Sequence, residues 1–154
     1  MTSPREPRFD QLVAEGRLRL QSADRQMLEK TLESARQDVA AASAMEKASL
    51  SWTEAILYEA GLRCARIIVQ AAGWRIAADR GHQTAIDAAD ALTDGRLHRI
   101  FLRLHRMRRV RHEFMYEVGH EPSRADVAQA RRDVAALIAE AQAVVSQRPQ
   151  TQQR

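Results

Sequence analysis

Apolar residues recur at spacings of three and four along nearly the whole chain, and little interrupts them. There are six glycines and four prolines among 154 residues, alanine is abundant, and no β-branched run occurs. An α-helix turns about 100° per residue, so this spacing places one apolar stripe on each of several helices. The pattern predicts an all-α protein with no β-sheet. The length suits one domain with a sizeable core of its own.

The stripes and their punctuation divide the chain. Phe9, Leu12, Val13 and Leu20 mark a short first helix weakened by Gly16, and Met27, Leu28, Leu32, Ala35, Val39, Ala42 and Met45 mark a second from about Ser22 to Ala48. Ser51-Trp52-Thr53-Glu54 has the form of a capping box and predicts the start of a third helix, ending near Gly73. That helix is the least charged and is expected to be the most buried, with Trp52 and Trp74 as packing anchors at its ends. A turn at Arg80-Gly81-His82 leads to a short helix, and Asp94 is expected to cap the next, over 95–118. Pro122 and Ser123 open the last one, over 122–147, with Val127, Ala130, Val134, Leu137, Ala141 and Val145 in phase. The expected architecture is a single antiparallel bundle of four to five main helices over 22–147, preceded by an extension over 1–21 and followed by a frayed tail over 148–154.

Charge is distributed far less evenly than apolarity. Residues 96–112 hold seven arginines, three histidines and no acid, whereas the rest of the chain is neutral to slightly acidic, so this segment supplies the whole net charge of +4. Cationic charge gathered on one helix points to an anionic ligand. Leu97, Ile100, Phe101, Leu104, Met107 and Phe114 form its apolar stripe, and Arg111 stands where the stripe asks for a core residue. A guanidinium there needs a carboxylate or a phosphate as partner. Arg96, Arg99, Arg103 and Arg106 form a ridge suited to solvent or phosphate, while His98, His105, His112 and Tyr116 share a polar strip with Arg109 beside them. Histidines seven apart are separated by about 10.5 Å along the axis, too far for one metal ion, so no metal and no cofactor is expected.

Several function classes are disfavoured by composition. One cysteine, Cys64, allows neither an internal disulfide nor a multi-cysteine metal site and reads as a small apolar residue. Residues 1–11 have no apolar core of signal-peptide length, and no window approaches a membrane span. A cytoplasmic protein is expected.

Arg108-Arg109-Val110-Arg111-His112, followed by Tyr116, a turn and an alanine-rich last helix, resembles the HEPN (higher eukaryotes and prokaryotes nucleotide-binding) domains over roughly residues 20–147, and the Gly81-His82 turn is similar too. In that family an arginine is followed by a polar residue, three further residues and a histidine. Arg111 and His112 match, and Tyr116 stands in the place of the catalytic histidine. The resemblance implies a helical homodimer whose Arg111, His112 and Tyr116 meet at a shared cleft, where RNA or nucleotide phosphate binds with Arg99, Arg103, Arg106 and Arg109 as ligands. In catalytic members the arginine and histidine cleave RNA without metal. Tyrosine, with an ordinary pKa of about 10, is a poor base at neutral pH, so a non-catalytic binding domain is expected. Arg106 with His112 offers a looser register of the same motif. On that register the chain would be a metal-independent ribonuclease toxin, paired with a minimal nucleotidyltransferase. A third possibility is a protein-interaction module whose arginines meet an acidic partner.

Overall fold

Around one central helix the computed structural model arranges the others; it describes the backbone of residues 6–77, 79–116 and 121–148, and the side chains of 7–77, 79–110 and 121–148. The elements are α1 (Glu6–Ala14), β1 (Leu18–Leu20), α2 (Arg25–Met45), α3 (Leu50–Ala71), β2 (Trp74–Ile76), α4 (Gly81–Leu92), α5 (His98–Tyr116) and α6 (Arg124–Ser146). The centre is α3, which packs against α2, α4, α5 and α6. Its sequence explains the position, since Leu57, Ala60, Cys64, Ile67 and Ile68 are joined by buried Leu62, Ala65 and Val69 on other sides, an apolar girth rather than a stripe. The protein is a helical bundle, as the periodicity predicts. Among the described residues no helix is long and apolar enough to cross a membrane.

Three local expectations are corrected. No sheet is expected from the sequence, yet residues 18–20, which the periodicity places in the first helix, and 74–76 are strands and pair antiparallel with Leu18 opposite Ile76 and Leu20 opposite Trp74. Gly16 (φ +73°) and Gly73 (φ +93°) take left-handed conformations that release the chain from α1 and α3 into this ribbon. The cap of α3 is Ser49, not Ser51: Ser49 is extended, and its hydroxyl accepts from the Trp52 amide at 3.1 Å. Asp94 does not cap α5 either. It lies in the left-handed region beside Gly95, and the helix begins later, at His98. The expected cap at Ser123 is present and forms a full box, with Ser123 and Asp126 each accepting from the other's amide.

The core extends beyond 22–147. Leu12 and Leu18 are buried in it, and Phe9 meets Trp74 edge to face with centroids 5.3 Å apart, so the N-terminal segment packs against the bundle. Trp52, expected to anchor, is instead half exposed at the start of α3. Cys64 is fully enclosed, and burial pushes its thiol up to about 12. Arg148, placed in the frayed tail by sequence, donates to the carbonyls of Gln70 and Ala71 at the end of α3 and to Ser22 Oγ, while Arg25 donates to its carbonyl. The end of α6 is thereby tied to α3 and to the start of α2. Residues 149–154 lie outside the described residues.

A candidate phosphate-binding face on the basic helix

Helical phase sorts the charged residues of α5 into separate groups, and each group meets a different environment. Phe101, Leu104 and Met107 are buried, fixing which side of the helix turns inward towards α3 and α4. About 100° per residue then sends Arg103 towards α6, and His98 and His105 towards α4, while Arg96, in the turn before α5, also reaches α6.

The α6 group is engaged. Arg103 Nε and Nη2 donate to the two oxygens of Asp133 at 2.6 and 2.8 Å, a fork that fits the planar guanidinium, and Gln129 donates to the same carboxylate. Arg96 reaches Glu140 at 2.7 Å. The ridge expected through Arg96, Arg99, Arg103 and Arg106 is therefore divided, with alternate members held against α6. Between α5 and α6 lies a cleft of about 160 Å³ lined by Arg103, Arg106, Met107, Val110, Pro122 and Ala130, among others.

The histidine strip meets carboxylates. His98 Nδ1–H donates to Asp90 at 2.6 Å and His105 Nε2–H to Asp87 at 2.9 Å; Arg8 of α1 reaches the same Asp87 oxygen, also at 2.9 Å. Asp87 is 6% exposed. Burial alone would raise its carboxyl, but the hydrogen bonds and charges of His105 and Arg8 outweigh it and hold the group below its ordinary value. The stability this contributes is fully present above the unfolded value of about 3.9 and is lost as pH falls through the lower folded value. Thermal midpoints should therefore drop between about pH 5 and pH 2, and Asp87→Asn, expected to cost roughly 1–3 kcal/mol at neutral pH, should flatten that drop. An unchanged acid profile in the variant would remove Asp87 from this role.

What remains on the outward side is Arg99, Leu102, Arg106 and Arg109, all exposed and spaced by three, four and three. None of the three arginines has a hydrogen-bond or ion-pair partner among the described residues. Leu102 is 53% exposed between them. Of the arginines expected to bind phosphate, Arg99, Arg106 and Arg109 thus share one free face, and Arg103 stands apart. The backbone of α5 continues through Arg111, His112 and Tyr116, but the side chains of that expected catalytic trio lie outside the described residues.

Sequence reasoning also missed a contact at the other side of α5. The hydroxyl of buried Tyr58 and Nδ1 of His82 share a hydrogen bond of 3.1 Å, joining α3 to the start of α4. Partial burial first, then the positive charges of Arg66 and Arg108, push His82 below the ordinary imidazole value. Only the bundle order brings Tyr58 and His82 together, and no spacing in the chain signals it. Compared with protein-family models, curated proteins and solved structures, the chain matches none, so a functional reading must rest on its own residues.

Proposed function

We propose that the protein is a HEPN-like domain of the cytoplasm that holds the phosphates of RNA or of a nucleotide along the outward face of α5, within a homodimer, and does not cleave them. The observation that carries this reading is the trio Arg99, Arg106 and Arg109, exposed on one face with no partner among the described residues, while Arg103 of the same helix and Arg96 of the turn before it are matched to carboxylates. Three unmatched guanidinium groups within about 15 Å of helix form a strip of positive potential that a phosphate backbone neutralises with release of its counterions. Exposed Leu102 adds an apolar surface between them, suited to a base or ribose edge or to the second subunit.

The test is single-stranded RNA binding followed by anisotropy from 50 to 200 mM salt, concentrations of about the range over which counterion release is strongest. Replacing Arg99, Arg106 and Arg109 by alanine is expected to weaken binding roughly tenfold to a hundredfold and to flatten the salt slope by about two units, with little regard to sequence. An unchanged slope would move the binding site elsewhere. With a chelator present, wild-type protein should leave the RNA intact, because Tyr116 replaces the imidazole. Cleavage lost in His112→Ala would establish instead the ribonuclease register through Arg106 and His112. Absence of RNA affinity even at low salt would favour an acidic protein partner.

A further inference from the structure

We propose that the cleft between α5 and α6 is a base pocket selective for guanine, so that a guanine nucleotide, free or within an RNA strand, binds with its phosphate on Arg106 and its ring over Met107. The pocket rests on the phosphate-binding reading of the outward face of α5 and names the nucleotide for it.

Arg106 joins the face to the cleft. Of the three unmatched arginines it alone, among the described residues, also lines the cleft. Arg103, one turn earlier on the same wall, is engaged with both oxygens of Asp133, so the guanidinium available at the mouth is that of Arg106. Met107, Val110, Pro122 and Ala130 line the cleft with apolar surface, and Met107, Pro122 and Ala130 are buried. The volume is about 160 Å³, below the roughly 300–1,000 Å³ of pockets that enclose a whole ligand. Such a cleft suits one flat ring of a larger ligand whose charged part stays outside. Unstacked RNA bases are taken up by proteins in this way, ring against a side-chain surface and edge against polar groups.

The polar lining decides which ring. Glu54 from α3 and Asp126 and Asp133 from α6 set three carboxylates against two guanidinium groups. Asp133 accepts twice from Arg103 and once from Gln129, which fixes its wall of the cleft. Asp126 accepts from the Ser123 amide, and both it and Glu54 carry further interactions. A carboxylate offers about four acceptor directions, so it can take an additional N–H beside the partners it holds. Acceptors of this kind repel the two carbonyl oxygens of uracil and attract N–H donors. Guanine presents two donors side by side, on its ring nitrogen and its exocyclic amino group, which match the two oxygens of one carboxylate. Adenine and cytosine present the amino group alone.

The experiment follows the isotope-labelled methionine methyl groups of the full chain by NMR during titration with guanosine monophosphate, uridine monophosphate and ribose phosphate at constant ionic strength. Met107→Leu assigns the signal. With guanosine monophosphate the Met107 methyl is expected to move upfield under the ring and to saturate at roughly millimolar ligand. Uridine monophosphate should bind at least about tenfold more weakly, and ribose phosphate should leave the Met107 methyl in place. Arg106→Gln should weaken the guanine nucleotide about tenfold, and Glu54→Gln combined with Asp126→Asn should bring it down to the level of uridine monophosphate. Ala130→Leu fills the cleft from α6 and Val110→Phe from α5, and each should abolish the shift, so that one informative variant remains if the other does not fold. A short guanine-containing RNA that moves Met107 at lower concentration than the mononucleotide would assign the pocket to a strand, and equal affinity would assign it to the free nucleotide. An equal response to uridine monophosphate, a common movement of all methyl signals, or full affinity in both filled variants would overturn the pocket. If RNA affinity still depended on Arg99, Arg106 and Arg109, the phosphate-binding face would stand without it; if that dependence were absent as well, the face would fall too.

Discussion

Phe101→Ala should lower the free energy of unfolding by about 3–5 kcal/mol, the range for emptying a fully enclosed aromatic site. Phe101 has no exposed surface and belongs to the inward stripe of α5 with Leu104 and Met107. Total stabilities of about 5–15 kcal/mol make this a large fraction, and urea unfolding with an unchanged slope would measure it directly. A loss below about 1 kcal/mol would mean that α5 repacks freely, contrary to a close-packed interior. The functional effect should follow the structural one. Phe101 sets the rotation of α5, and that rotation decides which arginines face carboxylates and which face solvent.

A second large effect is expected at Gly61, where side chains of α5 and α6 lie close against α3. A Cβ built there would lie 2.8 Å from Leu104 Cδ1 and 3.6 Å from Leu137 Cδ1. Two terms oppose each other in Gly61→Ala. Helix propensity favours alanine by about 1 kcal/mol, whereas overpacking a filled site costs roughly 1–3 kcal/mol. Leu104 is 2% exposed and Leu137 fully buried, so neither leucine swings away cheaply, and overpacking should win. Gly61→Leu puts three more carbons into the same gap and should cost about 3 kcal/mol or more. The decisive measurement is a double-mutant cycle: Leu104→Ala combined with Gly61→Leu should recover most of the loss. Additive penalties would place the clash elsewhere.

The parts of this fold that could be read from sequence are those governed by a long, regular signal. Twenty-two residues of α3 with apolar groups on every side made its central place evident, and Pro122 with the Ser123 cap marked the start of α6 to within a residue or two. The inward stripe of α5 was legible for the same reason, with Phe101, Leu104 and Met107 buried as their spacing predicts. The ribbon was not. Leu18–Leu20 and Trp74–Ile76 are too short to display a period of two, and their partnership depends on segments distant in the chain. Its one trace was the glycine next to each strand. The capping-box pattern misplaces the cap of α3 by two residues, at Ser51 instead of Ser49, because only the extended backbone at Ser49 identifies it.

The candidate site divides in the same way. Its cationic character was visible because seventeen consecutive residues carry it, but which arginines are free depends on what α6 and α4 place opposite. Nothing in the sequence around Asp133, Glu140, Asp87 and Asp90 signals those pairings before the helices are packed. The pairing of Tyr58 with His82 joins α3 to α4, and no local pattern encodes such a meeting.

The seam between α5 and α6 gives salt a second point of action on this molecule. Among the described residues α5 packs mainly on α3 and α4, and its ion pairs to α6 are Arg103 with Asp133 and, from the turn just before the helix, Arg96 with Glu140. These pairs differ in shelter. The Arg96 side chain is 60% exposed, whereas the Asp133 side chain is 8% exposed and holds a two-pronged bond. Mobile ions screen the open pair far more than the sheltered one. Rising ionic strength should thus unlace the two helices from the Arg96 end, with Arg103 as the stop, so that a bound strand would lose its counterion advantage just as the start of its supporting helix loosens.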